Sequence, residues 1–488
     1  MDTSLVLDSM LMAAPMLLLS AMGIVLMVLA AVMKPFSPTV GWGTTLATLA
    51  AALALVALQA GEPAAEAFAG MLRVDLYGHF FAVVMLLAAI FALLIAADYM
   101  ERIGVRVGEF YALLLFGVSG MLGMAYANDL MMVFIALEVM SIAMYVLCAI
   151  KRADDRAVEA GFKYFILGAF SSAIMLYGVS FLYGVTETTS LSQLASWLAT
   201  HPETNSVLAV GGVMVIVGFG FKVASVPFHM WTPDVYQGAP TAVTSLMASG
   251  VKAASFAAFG RFVVGALGND AATWEMALWI MAALTMLVGN VAALVQDDLK
   301  RILAYSSIAH AGYLLMALSS VGGMGADQNP ALGSLGFYLL AYTFMNAGAF
   351  AVLSLMTKDG NDNTGIEALA GLGKSHPWLA AGLSLCLVSL AGIPPTMGFV
   401  GKFYLFSSAV GAGQVGLAMV GAIGAAAGVY YYLRPMIYMY MREGHPEVAT
   451  DGRARIALAV SCVAILVLGL VPGAVLAAAD ASVRAVLG

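Results

Sequence analysis

Residues 218–241 read GFGFKVASVPFHMWTPDVYQGAPT, and this stretch decides the fold. It begins inside an apolar run, places Lys222 where a lipid bilayer would lie, and breaks at Pro227. Proline removes a backbone donor, and a freed carbonyl at membrane depth is tolerated only where it faces protein or water. A charge in hydrocarbon is also costly. The stretch therefore predicts an interrupted transmembrane helix with a buried lysine beside the interruption.

The composition of the whole chain points the same way. Of its 488 residues, 62% are hydrophobic and 10% are charged, whereas about 25% of the residues of a soluble protein are charged. The net charge of −7 gives no support for a nucleic-acid partner. Cys148, Cys386 and Cys462 lie far apart in apolar segments, with no Cys/His cluster. They are predicted to be small core residues, and no metal or iron–sulfur site is expected.

A helix needs about 20 apolar residues to cross a bilayer. No basic residue precedes the first apolar run, so this run is predicted to be a retained helix and not a cleaved signal peptide. Strand-type alternation is absent, and the fold class is predicted to be an all-α polytopic membrane protein. On the length rule there are fourteen candidate spans: 11–33, 40–59, 77–97, 109–126, 130–150, 157–183, 207–226, 240–262, 274–295, 302–318, 332–356, 378–410, 415–438 and 456–477.

Basic residues orient these spans, because loops rich in lysine and arginine stay in the cytoplasm. The side opposite to the basic loops has only Arg73, Arg261 and Arg484. This asymmetry predicts periplasmic termini in a bacterial inner membrane. Fourteen of the 21 basic residues lie in loops after odd-numbered spans: Lys34, Arg102, Arg106, Lys151, Arg152, Arg156, Lys300, Arg301, Lys358, Lys374, Arg434, Arg442, Arg453 and Arg455.

The remaining basic residues are four lysines inside predicted spans: Lys163, Lys222, Lys252 and Lys402. The one acid well inside a span is Glu138. Charges inside a membrane normally pair with each other or line a polar path. Burial lowers the proton affinity of a lysine readily, whereas arginine stays charged. Four lysines without an arginine therefore indicate groups that change protonation. Fixed structural ion pairs are the alternative interpretation for each of them.

Two segments are longer than a simple span, and both are interrupted. The first, 207–236, breaks after Lys222, and the second, 378–410, breaks at AGIPPTMGF (391–399) before Lys402. These are spans seven and twelve, so they cross the membrane in opposite directions. Broken helices at matching positions mark inverted repeats in transporters. We therefore predict an N-terminal three-helix segment (1–108), two inverted five-helix repeats (109–267 and 268–440), and a final helix (441–488).

Three blocks carry a family resemblance: GFKVASVPFHMWTPDVYQGAPT, TSLMASGVKAASFAAFGRF at 244–262, and DDLKRILAYSSIAHAGYLL at 297–315. Together with SLAGIPPTMGFVGKFYLF at 389–406, they resemble the antiporter-like proton channels of respiratory complex I. The same family includes subunits of Mrp-type sodium/proton antiporters. The resemblance covers roughly residues 109–440, and the predicted fourteen spans agree with it.

This resemblance implies a function and a set of site residues. Protons would move from cytoplasm to periplasm, driven by NADH:quinone oxidoreductase chemistry in partner subunits. Glu138 and Lys222 would form the carboxylate–ammonium pair of the first half-channel, Lys252 would be the central relay, and Lys402 would hand on the proton. Lys163 would modulate the pair, and His310 would lie on the connecting axis. Ser225, Tyr305 and Ser306 would hold bridging waters.

The resemblance also implies partners and cofactors. Other membrane subunits of complex I and the lipid bilayer would surround the chain. FMN, iron–sulfur clusters and quinone would belong to partner subunits, and no cofactor is expected in this chain. Two alternatives remain open: a Mrp-type antiporter subunit without a redox partner, and a membrane scaffold whose lysines are static.

Overall fold

The computed structural model describes residues 3–33, 36–105, 107–201, 206–267, 271–321, 331–358 and 360–487. Lys34 and Arg106, which contribute to the predicted charge asymmetry, lie outside these ranges. The first half contains α1 (Thr3–Met12), α2 (Ala14–Val32), α3 (Pro38–Gln59), α4 (Leu76–Arg102), α5 (Val107–Tyr126), α6 (Leu130–Cys148), α7 (Asp155–Thr186), α8 (Leu191–Thr200), α9 (Ser206–Val223), α10 (Thr232–Gly238), α11 (Thr241–Leu246) and α12 (Lys252–Arg261).

The second half of the chain is also mostly helical. It contains α13 (Ala271–Ala293), α14 (Leu299–Ser319), α15 (Ala331–Leu355), α16 (Leu372–Ser375), α17 (Pro377–Ala391), α18 (Met397–Gly411), α19 (Val415–Met441), α20 (Gly452–Leu470) and α21 (Gly473–Leu487). Two π-helical segments, Met247–Val251 and Phe262–Ala266, make α11 and α12 parts of one continuous helix over Thr241–Ala266.

Thirteen helices of the described chain are long and apolar enough to cross a membrane. The remaining predicted span, 378–410, corresponds to the interrupted pair α17 and α18. The predicted all-α polytopic fold is therefore confirmed. Only helices satisfy their backbone hydrogen bonds internally without neighbours, which is why long apolar runs become helices in lipid.

Two small hairpins were not predicted from the sequence. Strands β1 (Ala65–Ala67) and β2 (Leu72–Val74) pair antiparallel, and so do β3 (Thr357–Lys358) and β4 (Asn361–Asp362). Strands of two or three residues are too short to show an alternating hydrophobic pattern. Both hairpins lie in loops, so they do not alter the fold class.

Five helices begin with an aspartate that caps their first turn. The first N–H groups of a helix have no partner within the helix, and a carboxylate before them can accept their hydrogen bonds. Each cap accepts from a backbone N–H two or three residues further on, and the five in the described part of the chain are Asp75, Asp129, Asp154, Asp298 and Asp451. These caps define where α4, α6, α7, α14 and α20 begin.

The helices differ strongly in burial within the bundle. The helix over Thr241–Ala266 and α15 are buried along their whole length, and α14 nearly so, whereas α2 and α20 are mostly exposed. Small residues allow the central helices to approach closely. A Cβ at Gly289 of α13 would lie 2.5 Å from the backbone nitrogen of Ala309 in α14. The polar residues of α14 are thus held in the centre of the bundle.

Arg261, which the sequence places on the side opposite to the basic loops, is buried in the last turn of α12. Its two terminal nitrogens each donate to a carboxylate oxygen of Asp75 at 2.8 Å. Such a bidentate pair satisfies both charges at once. It ties the end of α12 to the start of α4.

The predicted breaks in spans seven and twelve are both present. In the first, α9 ends at Val223 and α10 begins at Thr232, and a cis bond joins Val226 and Pro227. Backbone groups freed by this break find other partners. The indole nitrogen of Trp231 donates to the Phe221 carbonyl at 3.0 Å, and the Val226 N–H donates to the Thr285 hydroxyl at 2.9 Å.

The second break separates α17 from α18. Gly392 ends α17 with a φ of +84°, a left-handed conformation that glycine adopts without strain. The bond between Pro394 and Pro395 is cis. The Gly398 N–H donates to the Ser389 hydroxyl at 3.1 Å. Freed carbonyls of α17 accept from Lys402, as described below.

Candidate functional site: a buried lysine and tyrosine axis

Three of the four lysines predicted to lie inside spans are buried. Lys222, Lys252 and Lys402 expose 3%, 2% and 6% of their surface. Lys163 differs, because 39% of its side chain is exposed. Burial thus separates the three from Lys163, which the span count had grouped with them.

Lys222 lies in the last turn of α9, beside the first break. Its ammonium donates to the hydroxyl of Ser141 at 2.7 Å and to that of Tyr145 at 3.1 Å. The same nitrogen lies 5.3 Å and 5.7 Å from the ring centroids of Tyr145 and Tyr164. Hydroxyls and aromatic faces stabilise a cation without fixing a counter-charge. Lys222 is therefore solvated by neutral groups.

The expected carboxylate–ammonium pair is not a direct salt bridge. Within the described ranges Lys222 makes no ion pair, and Glu138 instead accepts from the Ser172 hydroxyl at 2.5 Å. Glu138 and Ser141 lie three residues apart on α6, so they are neighbours on one helix face. Ser141, which accepts a hydrogen bond from the ammonium, therefore lies on the helix face that carries Glu138.

Lys163 belongs to a different group of charges. Its ammonium pairs with Glu159 at 2.7 Å and with Asp234 of α10 at 2.7 Å. Asp234 also pairs with Arg301 of α14 at 2.9 Å. The cluster links α7, α10 and α14 at a partly exposed end of the bundle. Lys163 does not contact Glu138 or Lys222; its link to the first break is through Asp234 in α10.

Lys252 occupies the centre of the bundle. It follows the π-helical segment Met247–Val251, a distortion that often occurs at functional sites. Its ammonium donates to the Ser307 hydroxyl at 2.5 Å and also to the Ser307 carbonyl. The hydroxyls of Ser307 and Tyr236 lie 3.3 Å apart. Because a hydroxyl both donates and accepts, Ser307 can pass a proton between Lys252 and its neighbours.

His310 is held by two tyrosines. Its Nδ1 bonds the hydroxyl of Tyr338, and its Nε2 lies 2.9 Å from the hydroxyl of Tyr432. Tyr432 also bonds the hydroxyl of Ser306, one of the residues expected to hold bridging waters. A neutral imidazole has one donor and one acceptor nitrogen, so the two tyrosines take opposite roles. His310 is therefore oriented for proton exchange in two directions.

Lys402 lies at the second break. Its ammonium donates to the carbonyls of Leu390 at 2.8 Å and Ala391 at 3.0 Å, the last residues of α17. The carbonyl end of a helix carries partial negative charge and favours a cation. The same nitrogen lies 5.2 Å from the ring centroid of Tyr313. The carbonyl end of α17 therefore stabilises the charged form of Lys402.

Helix α14 connects Lys252 with Lys402. Ser306, His310 and Tyr313 follow the i, i+4, i+7 spacing of one helix face, and Ser307 lies one turn before His310. Lys252 contacts the start of this series, and Lys402 contacts its end. We call Lys252, Ser307, Ser306, His310, Tyr432, Tyr338, Tyr313 and Lys402 the central axis.

Several members of this site were not identified from the sequence. Tyr338, Tyr432 and Tyr145 stand in apolar spans where an aromatic residue usually packs, and only their hydroxyl contacts distinguish them. Lys300 was assigned to a loop, yet it is 1% exposed and pairs with Asp362 at 3.1 Å. Because Lys300 is the second residue of α14, hydropathy alone could not identify it as buried.

The two other residues expected to hold waters lie outside the central axis. The Ser225 hydroxyl donates to the Gly220 carbonyl at 3.1 Å within the first break. Tyr305 is partly exposed and packs against the apolar core. Among the residues that the structure describes, no three His, Cys, Asp or Glu side chains are grouped to hold a metal ion.

Comparison with known proteins identifies the family of this chain. The family described as "NADH:quinone oxidoreductase/Mrp antiporter, TM" matches residues 127–428. NADH-quinone oxidoreductase subunit N of Trichlorobacter lovleyi is 44% identical over 455 residues, covering 92% of this chain and 88% of the relative. Subunit N of Myxococcus xanthus is 42% identical over 462 residues, covering 88% and 89%.

Solved structures share the same fold. A chain of Thermus thermophilus respiratory complex I, determined with bound aureothin, is 36% identical with a TM-score of 0.81, covering 95% of this chain and 98% of its own. A chain of the Mrp complex from a Dietzia species has a TM-score of 0.83 at 24% identity, covering 99% and 100%. At that identity the second similarity concerns the fold alone.

Proposed function

This chain belongs to the NADH:quinone oxidoreductase/Mrp antiporter transmembrane family, and we propose that it is the proton-translocating subunit N of a bacterial NADH:quinone oxidoreductase. The observation that carries the proposal is the central axis. It joins two buried lysines, Lys252 and Lys402, through hydroxyls and one imidazole along α14. Groups that gain and lose protons, placed on one line inside a bundle, form a path for protons.

The contacts of each group support the proposed order of proton transfer. Lys252 takes up a proton and passes it through Ser307 and intervening water to His310. His310 exchanges protons with Tyr338 and Tyr432, and Lys402 receives the proton at the far end. Hydroxyl and imidazole groups suit this relay because each can donate and accept.

In the first half, Glu138 and Lys222 would act as an electrostatic switch. When the carboxylate lies close, the ammonium is favoured, and when they separate, the proton is released. Ser141 and Tyr145 hold the ammonium in the separated arrangement. Lys163 would influence this switch through Asp234, because α10 follows the break next to Lys222.

The breaks supply the mobile elements that such a switch needs. Lys222 lies in the last turn of α9, and Lys402 binds the last carbonyls of α17. A shift of either half-helix changes how well its lysine holds a proton. The similar placement of the two lysines supports the division into inverted repeats at 109–267 and 268–440.

The chain is a membrane subunit of a multi-subunit oxidoreductase, and redox energy would come from its partners. FMN, iron–sulfur clusters and quinone would reside in those partner subunits, and this chain would contribute translocation without a redox centre. Proton movement would run from cytoplasm to periplasm across the inner membrane. Both termini would be periplasmic, as the basic loops predict.

The Mrp-type alternative shares the fold and the lysine chemistry, but it receives less support. The relatives with 44% and 42% identity are oxidoreductase subunits, whereas the Mrp similarity is at 24% identity. A test is to purify the native complex through an affinity tag on this chain. We expect it to bring down subunits that carry flavin and iron–sulfur clusters and oxidise NADH. Recovery of only other antiporter subunits, without flavin, would overturn the assignment.

A further inference from the structure

A second feature, remote from the central axis, is an apolar groove on the outside of the bundle. It lies between the N-terminal halves of α17 and α20 and has a volume of about 580 Å³, which is in the range of small-molecule ligand sites. Leu379, Leu385, Leu458 and Ala459 contribute to its walls. No helix of the described chain covers it.

One end of this groove is polar and positively charged. Arg455 and His376 line it there, and no carboxylate is among the lining residues. The Arg455 side chain is exposed and makes no ion pair within the described ranges. An unpaired guanidinium at the end of the apolar groove can bind an anion. The groove can then hold a hydrocarbon chain attached to that anion.

The position of this charged end fits the surface of a membrane. Trp378 is 87% exposed beside it, and exposed tryptophans are enriched where hydrocarbon meets lipid headgroups. Arg455, in the first turn of α20, and Lys374, in α16, are on the side predicted to be cytoplasmic, where the leaflet is anionic. The apolar groove runs from this charged end along α17 and α20 toward the membrane interior.

We propose that this groove binds a diacyl anionic phospholipid, with its phosphate at Arg455 and an acyl chain along Leu379, Leu385 and Leu458. A free phosphate would leave the apolar walls exposed. A zwitterionic lipid would add a cation next to an arginine. An anionic lipid matches both ends of the groove.

Cys462 provides a native probe for this site. It lines the groove and is partly exposed, whereas Cys148 and Cys386 are buried. In the delipidated complex we expect Cys462 to react with N-ethylmaleimide, measured by peptide mass spectrometry. Added dioleoyl phosphatidylglycerol should protect it at a lower concentration than dioleoyl phosphatidylcholine.

Two variants and a control locate the protection. Arg455→Gln should raise the phosphatidylglycerol concentration for half-protection about five-fold, the effect of one basic residue at an anionic surface. Ala459→Trp should fill the groove and protect Cys462 without added lipid. Arg152→Gln removes another exposed arginine from the same side and should change nothing.

Three results would overturn the proposal. Equal protection by both lipids would show that charge does not select the occupant. Unchanged protection in Arg455→Gln would show that the arginine does not bind it. Absence of labelling in the delipidated complex would show that a partner subunit covers the groove.

Discussion

His310 shows how a single side chain can be made ready for proton exchange. Both of its ring nitrogens are occupied by tyrosine hydroxyls, and it is almost completely buried. Because both nitrogens are engaged, a proton that arrives on one side can leave on the other. The hydroxyl of its partner Tyr432 connects His310 with a further group, since it also bonds Ser306.

Replacing Tyr432 with phenylalanine removes this shared hydroxyl. One net hydrogen bond is worth about 1 kcal/mol, so the complex should still assemble, while proton uptake should fall by up to about tenfold. Uptake is measured in inverted membrane vesicles supplied with NADH. Tyr430→Phe is the matched control, because Tyr430 is 59% exposed on the same helix. Equal rates in the two variants would exclude a role for the Tyr432 hydroxyl.

The sequence identified charged members of the site better than neutral ones. Lys222, Lys252 and Lys402 interrupt apolar runs, and a charge in a span is costly enough to stand out. Lys163 shows the limit of that argument, because it lies near enough to a helix end to reach ion-pair partners. Hydroxyl partners such as Tyr432 and Ser307 cost little in a span and leave no comparable signal.

At the scale of elements, the break after α17 joins backbone geometry to the charge of Lys402. The carbonyls that the break frees are the ones that bind the lysine. Gly392 makes this possible in two ways. Its φ is +84°, and a Cβ there would lie 2.8 Å from Cδ of Lys402.

Gly392→Ala should therefore disturb both the turn and the lysine. Left-handed backbone costs a non-glycine residue about 1–2 kcal/mol, and the methyl group would also displace Lys402. We expect reduced proton uptake in inverted vesicles with the complex assembled. Gly413→Ala is the control, because Gly413 has a φ of +78° with no atom within 4 Å of its Cβ position. If both variants lose uptake equally, strain alone accounts for the effect.

The long elements could be predicted from the sequence, and the short ones could not. Apolar length alone gives spans such as α14 and α15, because lipid leaves no alternative to a helix. Prolines in the sequence predicted the two breaks. The amphipathic helix α8 and the hairpins of β1–β4 lie in the segments between spans, where no length rule applies.

Over the whole molecule, apolar side chains form much of the outer surface as well as most of the core, unlike in a soluble protein. The most buried helices, around Thr241–Ala266 and α15, surround the polar groups, while apolar residues of α2 and α20 face outward. This arrangement holds charges such as Lys252 away from lipid and keeps them connected through α14. A series of polar groups inside an otherwise apolar bundle is what a proton-conducting membrane subunit requires.

In the proposed relay, protons pass along the central axis and leave through Lys402. The most direct measurement is NADH-driven proton uptake by inverted vesicles that contain Lys402→Met, a change that keeps an unbranched side chain of similar length and removes the ammonium. Lys374→Met is the control, because its side chain is 74% exposed. Assembly is checked by NADH oxidation with an artificial electron acceptor. We expect Lys402→Met to lose most of the uptake and Lys374→Met to retain it. Full uptake by an assembled Lys402→Met complex would contradict this relay.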